Sequence, residues 1–362
     1  MIYKVYLDGI SIYDEGYELA LLSPSLSLEL NAAGSFSFKM PTVHSYYNLP
    51  SMLTQTIEVW EEDEMLWFGR PIEIKSDFLN RKEVYCEGAL AFFNDSIQRA
   101  AEYKAILISD FFELLVKNHN NDVPLNRQFK IGTFNIPDTY IYRKLDYETT
   151  FDCLTKMCLD AEGGYFFIRR SNGTNYIDWV QDLTTVGDQP AQFAVNILDL
   201  NKGMNGADIK TSIIPIGNSG GSSKLTIAQI NHGIDHLDAT EAIEKFGRIT
   251  TVVQFDVSTR EQLMEKGQQW LRDQQWDPLT IELDAAELHY INPEYDSFKV
   301  GQIIHCTSTP HLIDRNFPLL RMSLNLDTAK KQITLGTVPR RTLTEIVKSG
   351  KTEERYIDYN YD

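Results

Sequence analysis

Apolar residues recur at every second position through much of the first hundred residues. Leu26, Leu28 and Leu30 alternate with Ser25, Ser27 and Glu29. The turn Asn31-Ala32-Ala33-Gly34 then leads into Ser35-Phe36-Ser37-Phe38-Lys39-Met40, so the pattern predicts an amphipathic β-hairpin. A second hairpin is predicted where Thr56-Ile57-Glu58-Val59-Trp60 meets Met65-Leu66-Trp67-Phe68-Gly69 across a solvated acidic tip, Glu61-Glu62-Asp63-Glu64. Several strands with one apolar face need closure or a cover, which points to a small barrel or sandwich.

The period changes near residue 100. Ser109 to Val116 has a capping residue followed by apolar positions at helical spacing, ending in Lys117-Asn118-His119-Asn120-Asn121. A second helix is predicted from Asp146 to Asp160, with Phe151, Leu154, Cys158 and Leu159 on one side and a stop at Gly163-Gly164. The runs 165–170 and 174–180 flank Ser171-Asn172-Gly173, and Asn-Gly between such runs is a strong hairpin signal. Beyond about residue 190 strands return, around a helix predicted over Ser258–Gln275 from the capping box Ser258-Thr259-Arg260-Glu261. Strands follow at 279–283 and 300–304. The alternation Leu320, Met322, Leu324, Leu326 then turns back into Gln332–Gly336. The expected core includes Phe36, Phe38, Trp67, Leu320, Met322 and Leu324, with Gly69, Gly88 and Gly301 serving tight backbone geometry.

The chain is 362 residues long, a length that suits two or three domains. The expected organisation is a β unit over 1–98, an α+β region over 99–190, a second β unit over 191–340 with an inserted lobe at about 228–277, and a polar tail over 341–362. Lys and Arg number 34 against 51 Asp and Glu, a net charge of −17. So acidic a chain is poorly suited to gripping a phosphate backbone, which is bound mainly by Lys and Arg. No apolar run reaches the roughly 18 residues of a membrane-spanning helix, so no stable membrane insertion is expected. The start lacks a signal-peptide pattern, and folding in a cytoplasm is expected. Cys86, Cys153, Cys158 and Cys306 are scattered and read as reduced and buried.

Candidate chemistry is thin. Gly217-Asn218-Ser219-Gly220-Gly221 fits a nucleophile-elbow pattern, but Ser222–Ile227 reads as loop then strand where a helix is needed, so a flexible Gly/Ser hairpin loop is the better reading. His232 and His236 have the spacing of a zinc-binding helix, yet Gly233 stands where a metalloprotease carries its Glu base. His305-Cys306 and His311 read as ordinary strand and loop residues, and Glu61–Glu64 lacks a regular calcium loop. Asn172-Gly173-Thr174 matches a glycosylation acceptor but reads as a turn. No phosphate loop or dinucleotide fingerprint is present; no catalytic, cofactor-binding or metal site is assigned, and no cofactor is expected.

An ordered series of segments carries a resemblance. Gly34-Ser35-Phe36-Ser37-Phe38-Lys39-Met40-Pro41, His44, Met52-Leu53, Phe68-Gly69-Arg70 and Val84–Ser96 resemble the N-terminal hub module of the phage tail-associated lysin, or prophage tail endopeptidase, family. Ala239–Ile249, Tyr295–Gly301 and Ile333–Gly336 resemble its later segments, so the likeness runs over about residues 1–340. It implies an α+β, mainly β fold with two similar β-barrel tube domains and α+β peripheral lobes, assembled as a trimeric ring. The implied role is a structural baseplate hub at the virion tail tip, assembled in the bacterial host cytoplasm. Implied partners are the distal tail protein ring, the tape-measure protein, and tail fibre, lysin or receptor-binding proteins. DNA would pass through the channel without specific binding, and three copies would bring 3 × −17 = −51 charges to repel it. A lysin domain, where family members carry one, follows the hub module; after Arg341 only about twenty residues remain, so a non-enzymatic chain is expected. The competing readings are a peptidase or cell-wall hydrolase using Ser219 or His232 and His236, and a carbohydrate-binding adhesin using exposed Tyr and Trp.

Overall fold

Both predicted hairpins near the N-terminus form. The first β unit comprises β1 (Tyr3–Leu7), β2 (Ile10–Tyr13), β3 (Leu22–Glu29), β4 (Ser35–Met40), β5 (Ile57–Glu61), β6 (Glu64–Ser76) and β7 (Lys82–Gly88), paired antiparallel in the order β3-β4-β7-β6-β5-β1-β2. The computed structural model describes residues 3–14, 19–204, 206, 209–218, 224–255, 257–272 and 279–336, so the tail 341–362 lies outside the described residues. Phe36, Phe38 and Trp67 are buried in this unit, as their alternation requires. Gly88 leaves no room for a side chain, since a Cβ there would fall 1.7 Å from the Ala33 carbonyl oxygen.

The middle region is α+β. It contains β8 (Ala101–Leu107), a helix at Ile108–Asp122, β9 (Phe129–Asn135), β10 (Tyr140–Leu145), a helical segment over 150–162, β11 (Tyr165–Ser171) and β12 (Thr174–Val180). The first helix outlasts its predicted polar end because His119 is buried on the same side as Phe112, Leu115 and Val116. The second starts at Thr150 rather than Asp146, because the Thr149 hydroxyl accepts the Asp152 N–H at 3.0 Å and so caps it there. Asn172 and Gly173 make the β11–β12 turn with φ of 49° and 74°, the left-handed pair that a two-residue hairpin favours.

The remaining strands are β13 (Ala191–Gln192), β14 (Ile197–Met204), β15 (Ser212–Asn218), β16 (Lys224–Leu225), β17 (Leu237–Asp238), β18 (Thr250–Gln254), β19 (Leu279–Ala285), β20 (Ile303–Ser308), β21 (Ile313–Asn325) and β22 (Lys330–Gly336). Strands β15 to β18, with helices Thr240–Phe246 and Arg260–Arg272, form a lobe with its own small core of Leu225, Ile227 and Leu263. The second helix begins two residues later than predicted, at Arg260, with the Thr259 hydroxyl accepting the Gln262 N–H at 3.4 Å. Two expectations need correcting. Val300–Gln302 is not strand; Gly301 has φ +92°, and the strand begins at Ile303. Leu320 is half-buried because a β-bulge between Leu319 and Arg321 shifts the alternation, placing Leu319 in the core instead.

Strands of both β units join one 13-stranded sheet through the pairing of β21 with β3. The two units also share one strand arrangement: β1, β3, β4, β5, β6 and β7 correspond in chain order and in neighbours to β13, β14, β19, β20, β21 and β22. Rows running across the sheets match residue for residue. Leu26, Phe36, Cys86 and Pro71 face each other in the first unit as Leu200, Leu283, Ile333 and Met322 do in the second. The next row is Ser25, Ser37, Tyr85 and Glu73 against Asp199, Asp284, Gln332 and Ser323, with no apolar aliphatic side chain in either. The lobe occupies the place of the short β3–β4 turn, and β13 pairs with β20 in parallel where β1 pairs with β5 antiparallel.

Candidate functional site

Alternation places Glu61 on the same strand face as Ile57 and Val59, and Lys331 on the same face as Ile333 and Leu335. Each charge therefore points into an interior, and there they meet. Lys331 Nζ lies 3.0 Å from Glu61 Oε1 and 2.6 Å from Glu287 Oε2, with all three residues buried. Tyr3 donates its hydroxyl to Glu61 at 2.9 Å, Tyr290 donates to the same oxygen, and Gln189 donates to Glu287. Burial alone would raise the Glu61 carboxyl, but Lys331 and the two tyrosine hydroxyls outweigh it and hold the group below its ordinary value. Burial beside that carboxylate pushes both tyrosines well above theirs. The acidic hairpin tip is thus corrected at its first residue: Glu61 is not solvated but clamps β5 of the first unit to β22 of the second.

Further ionic joints fasten the middle region. Arg70 forks onto Asp95 at 2.5 and 2.8 Å, reaches Glu87 at 2.7 Å, and shares Asp95 with Arg127. Arg143, which is buried, and Lys266, which is partly exposed on the lobe helix Arg260–Arg272, each lie 2.6 Å from the Glu162 carboxylate. Burial would raise Glu162, and the two cations lower it instead. Asn31, in the left-handed conformation (φ 60°), accepts the Phe166 N–H at 2.8 Å and ties the β3–β4 turn to β11.

The residues weighed for catalysis do not converge. Ser219 lies outside the described residues; its flanks, β15 and β16, pair as a hairpin. His232 and His236 are not on a helix: His232 is an exposed turn residue with φ 52°, and His236 lies 3.2 Å from Asp235 and from Arg248. His305 bonds Asn316 at 2.8 Å, His311 bonds Ser308 at 2.6 Å, and Cys306 is buried. Among the described residues no three His, Cys, Asp or Glu side chains gather as metal ligands. All four cysteines are free and buried; burial raises each thiol, to about 11 for Cys306 and about 12 for Cys153.

The middle region brings together a Ser–His pair that the sequence did not reveal. Ser96 Oγ lies 2.7 Å from His119 Nδ1 and 2.6 Å from the Thr150 hydroxyl, and His119 Nε2 donates to the Arg127 carbonyl at 3.1 Å. Burial lowers the His119 pKa, which favours the neutral ring. With Ser96, His119 and Thr150 all buried and a carbonyl rather than a carboxylate behind the ring, the pair anchors packing and has no access for a substrate.

The family model for the prophage endopeptidase tail matches residues 190–347. Among curated proteins none matches this chain in sequence. Solved structures match along nearly the whole chain. The 43 kDa tail protein of prophage MuSo2 from Shewanella oneidensis is 12% identical with a TM-score of 0.65, over 93% of this chain and 98% of that one. A tail protein from Neisseria meningitidis MC58 is 15% identical with a TM-score of 0.64, over 92% and 96%. An Escherichia coli component of the type VI secretion system, described as similar to the T4 bacteriophage tail proteins gp27 and gp5, is 10% identical with a TM-score of 0.52, over 93% and 78%. The chain resembles the prophage endopeptidase tail family in sequence over residues 190–347 and has the fold of prophage tail proteins.

Proposed function

We propose that the chain is a structural hub of a phage or prophage tail tip, assembled in the host cytoplasm and carried on the virion. The observation that carries this reading is the strand-for-strand match of the two β units within a chain that follows tail proteins over nine-tenths of its length. Three chains with two like units each would present six similar units around one axis. A homotrimer could then seat on a sixfold distal tail protein ring beside the tape-measure protein, and anchor fibre, lysin or receptor-binding proteins on its other side. The net charge of −17 per chain suits a channel that passes DNA without holding it. The role is non-enzymatic: the charged clusters join elements to one another, and His232 and His236 do not share a helix face.

Light scattering together with negative-stain microscopy tests the reading. The expected result is a mass three times that of one chain and rings with a central opening. Monomers at every concentration would overturn it, as would hydrolysis of host cell wall that is lost on Ser219→Ala or His232→Ala.

A further inference from the structure

The two long strands β6 and β21 correspond, yet their flanks are filled differently. Along one side of β21 two strands lie end to end, β20 beside Ile313–Pro318 and β3 beside Arg321–Asn325. Along the matching side of β6, β5 covers Glu64–Gly69. Beyond it Leu53 donates its N–H to the Pro71 carbonyl, and the stretch Glu73–Ser76 has no strand on that side among the described residues. The counterpart of β3 is β14, which pairs with β19 on one edge; among the described residues its other edge meets no strand past the single bridge at Ile197. One chain therefore carries both an open slot, on β6, and in β14 the counterpart of the strand that fills the equivalent slot elsewhere in it.

We infer that β14 of one copy lies antiparallel in the open stretch of β6 of a second copy, repeating between chains the seam that β3 and β21 make within one. The number of copies rests on the hub reading; the surface rests on the matched rows. Those rows equate Ser27 with Asn201 and Ser323 with Glu73, which sets the register. Asn201 then faces Glu73 of the second copy, as Ser27 faces Ser323. Leu200 meets Ile74, as buried Leu26 meets buried Leu324. Asp199 meets Lys75, an opposite-charge pair across strands. Leu200 and Ile74 are each only partly buried in one chain, so the contact would cover apolar surface and two unpaired backbone edges together. The two patches differ, so each chain donates one edge and accepts another, the kind of contact that closes into a ring.

Paired cysteines test this in the full chain. Asn201 and Glu73 are both exposed, and the four native cysteines are buried, so Asn201→Cys combined with Glu73→Cys adds the reactive thiols. Mild oxidation is expected to give reducible covalent dimers and trimers from the double variant and from neither single variant, with circular dichroism unchanged. Asp199→Lys is expected to raise the concentration at half-assembly severalfold, and adding Lys75→Asp to bring it back. A trimer by light scattering whose double variant never cross-links would overturn the β14–β6 contact and leave the hub reading standing. A chain that is monomeric throughout and never cross-links would overturn both.

Discussion

The two β units solve the same packing problem with different side chains. In the first, the row Leu26, Phe36, Cys86, Pro71 fills the interior with one large ring; in the second, Leu283, Ile333 and Met322 do so with branched and flexible aliphatics, and Leu200 at the end of the row is only partly buried. Between β3 and β4 the first unit closes tightly, with Gly34 at φ +67° and the Trp67 indole N–H donated to the Ala33 carbonyl at 3.1 Å. At the same place the second unit opens to admit a whole lobe. The difference shows that the fold is held by which positions face inward, while residue identity and the length of that turn are free within volume limits.

The comparison can be broken most forcefully at matched core positions. Phe36→Ala is expected to cost about 3–5 kcal/mol and Leu283→Ala about 2–5 kcal/mol by urea unfolding. A loss under about 1 kcal/mol at either would remove that residue from its core. The clamp between units comes next. Lys331→Met leaves Glu61 and Glu287 buried without a cation and is expected to cost about 3–5 kcal/mol at pH 7. Because the folded-state Glu61 pKa is depressed, its stabilisation is present above the unfolded value of about 4.3 and is lost as pH falls through the lower folded value. In Lys331→Met burial is left to raise the Glu61 carboxyl, so the variant regains stability as pH falls towards about 4.3 and the wild type loses its own below that, and the gap between them should narrow throughout; a gap that widens on acidification would contradict the clamp. The bulge in β21 predicts an unequal pair: Leu319→Ala costs about 2–5 kcal/mol, Leu320→Ala about 1 kcal/mol or less, and equal losses would deny the register shift. The smallest effect is on the surface of the seam, where the Arg321 side chain, 60% exposed, meets Glu29 at 2.9 Å. Arg321→Ala is expected to change stability by no more than about 1 kcal/mol, less in high salt.

Much of the fold was legible because alternation is local. The runs around Leu26, Phe36 and Met322 place their side chains correctly from sequence, and Asn172-Gly173 places its turn. Leu320 misleads because a bulge inserts one residue without any local mark in the sequence. The seam was not legible: Glu29 and Arg321 stand 292 residues apart, and no periodicity reports a pairing over that distance. The buried clamp did leave a trace. Glu61 follows Ile57 and Val59, and Lys331 precedes Ile333 and Leu335, each as a charge at the end of an apolar face; two such breaks of opposite sign signal a buried pair. Ser96, His119 and Thr150 left no comparable trace, since three separate elements bring them together.

The lobe leaves and rejoins the sheet at the ends of neighbouring strands, and its helix Arg260–Arg272 rests on the middle region through Lys266 and Glu162. An insertion there adds length to the chain while the antiparallel pairing of β14 with β19 beside it is kept. The outer surface, and what it can offer to a binding partner, can therefore change at this place while the strand pairing of both β units is kept.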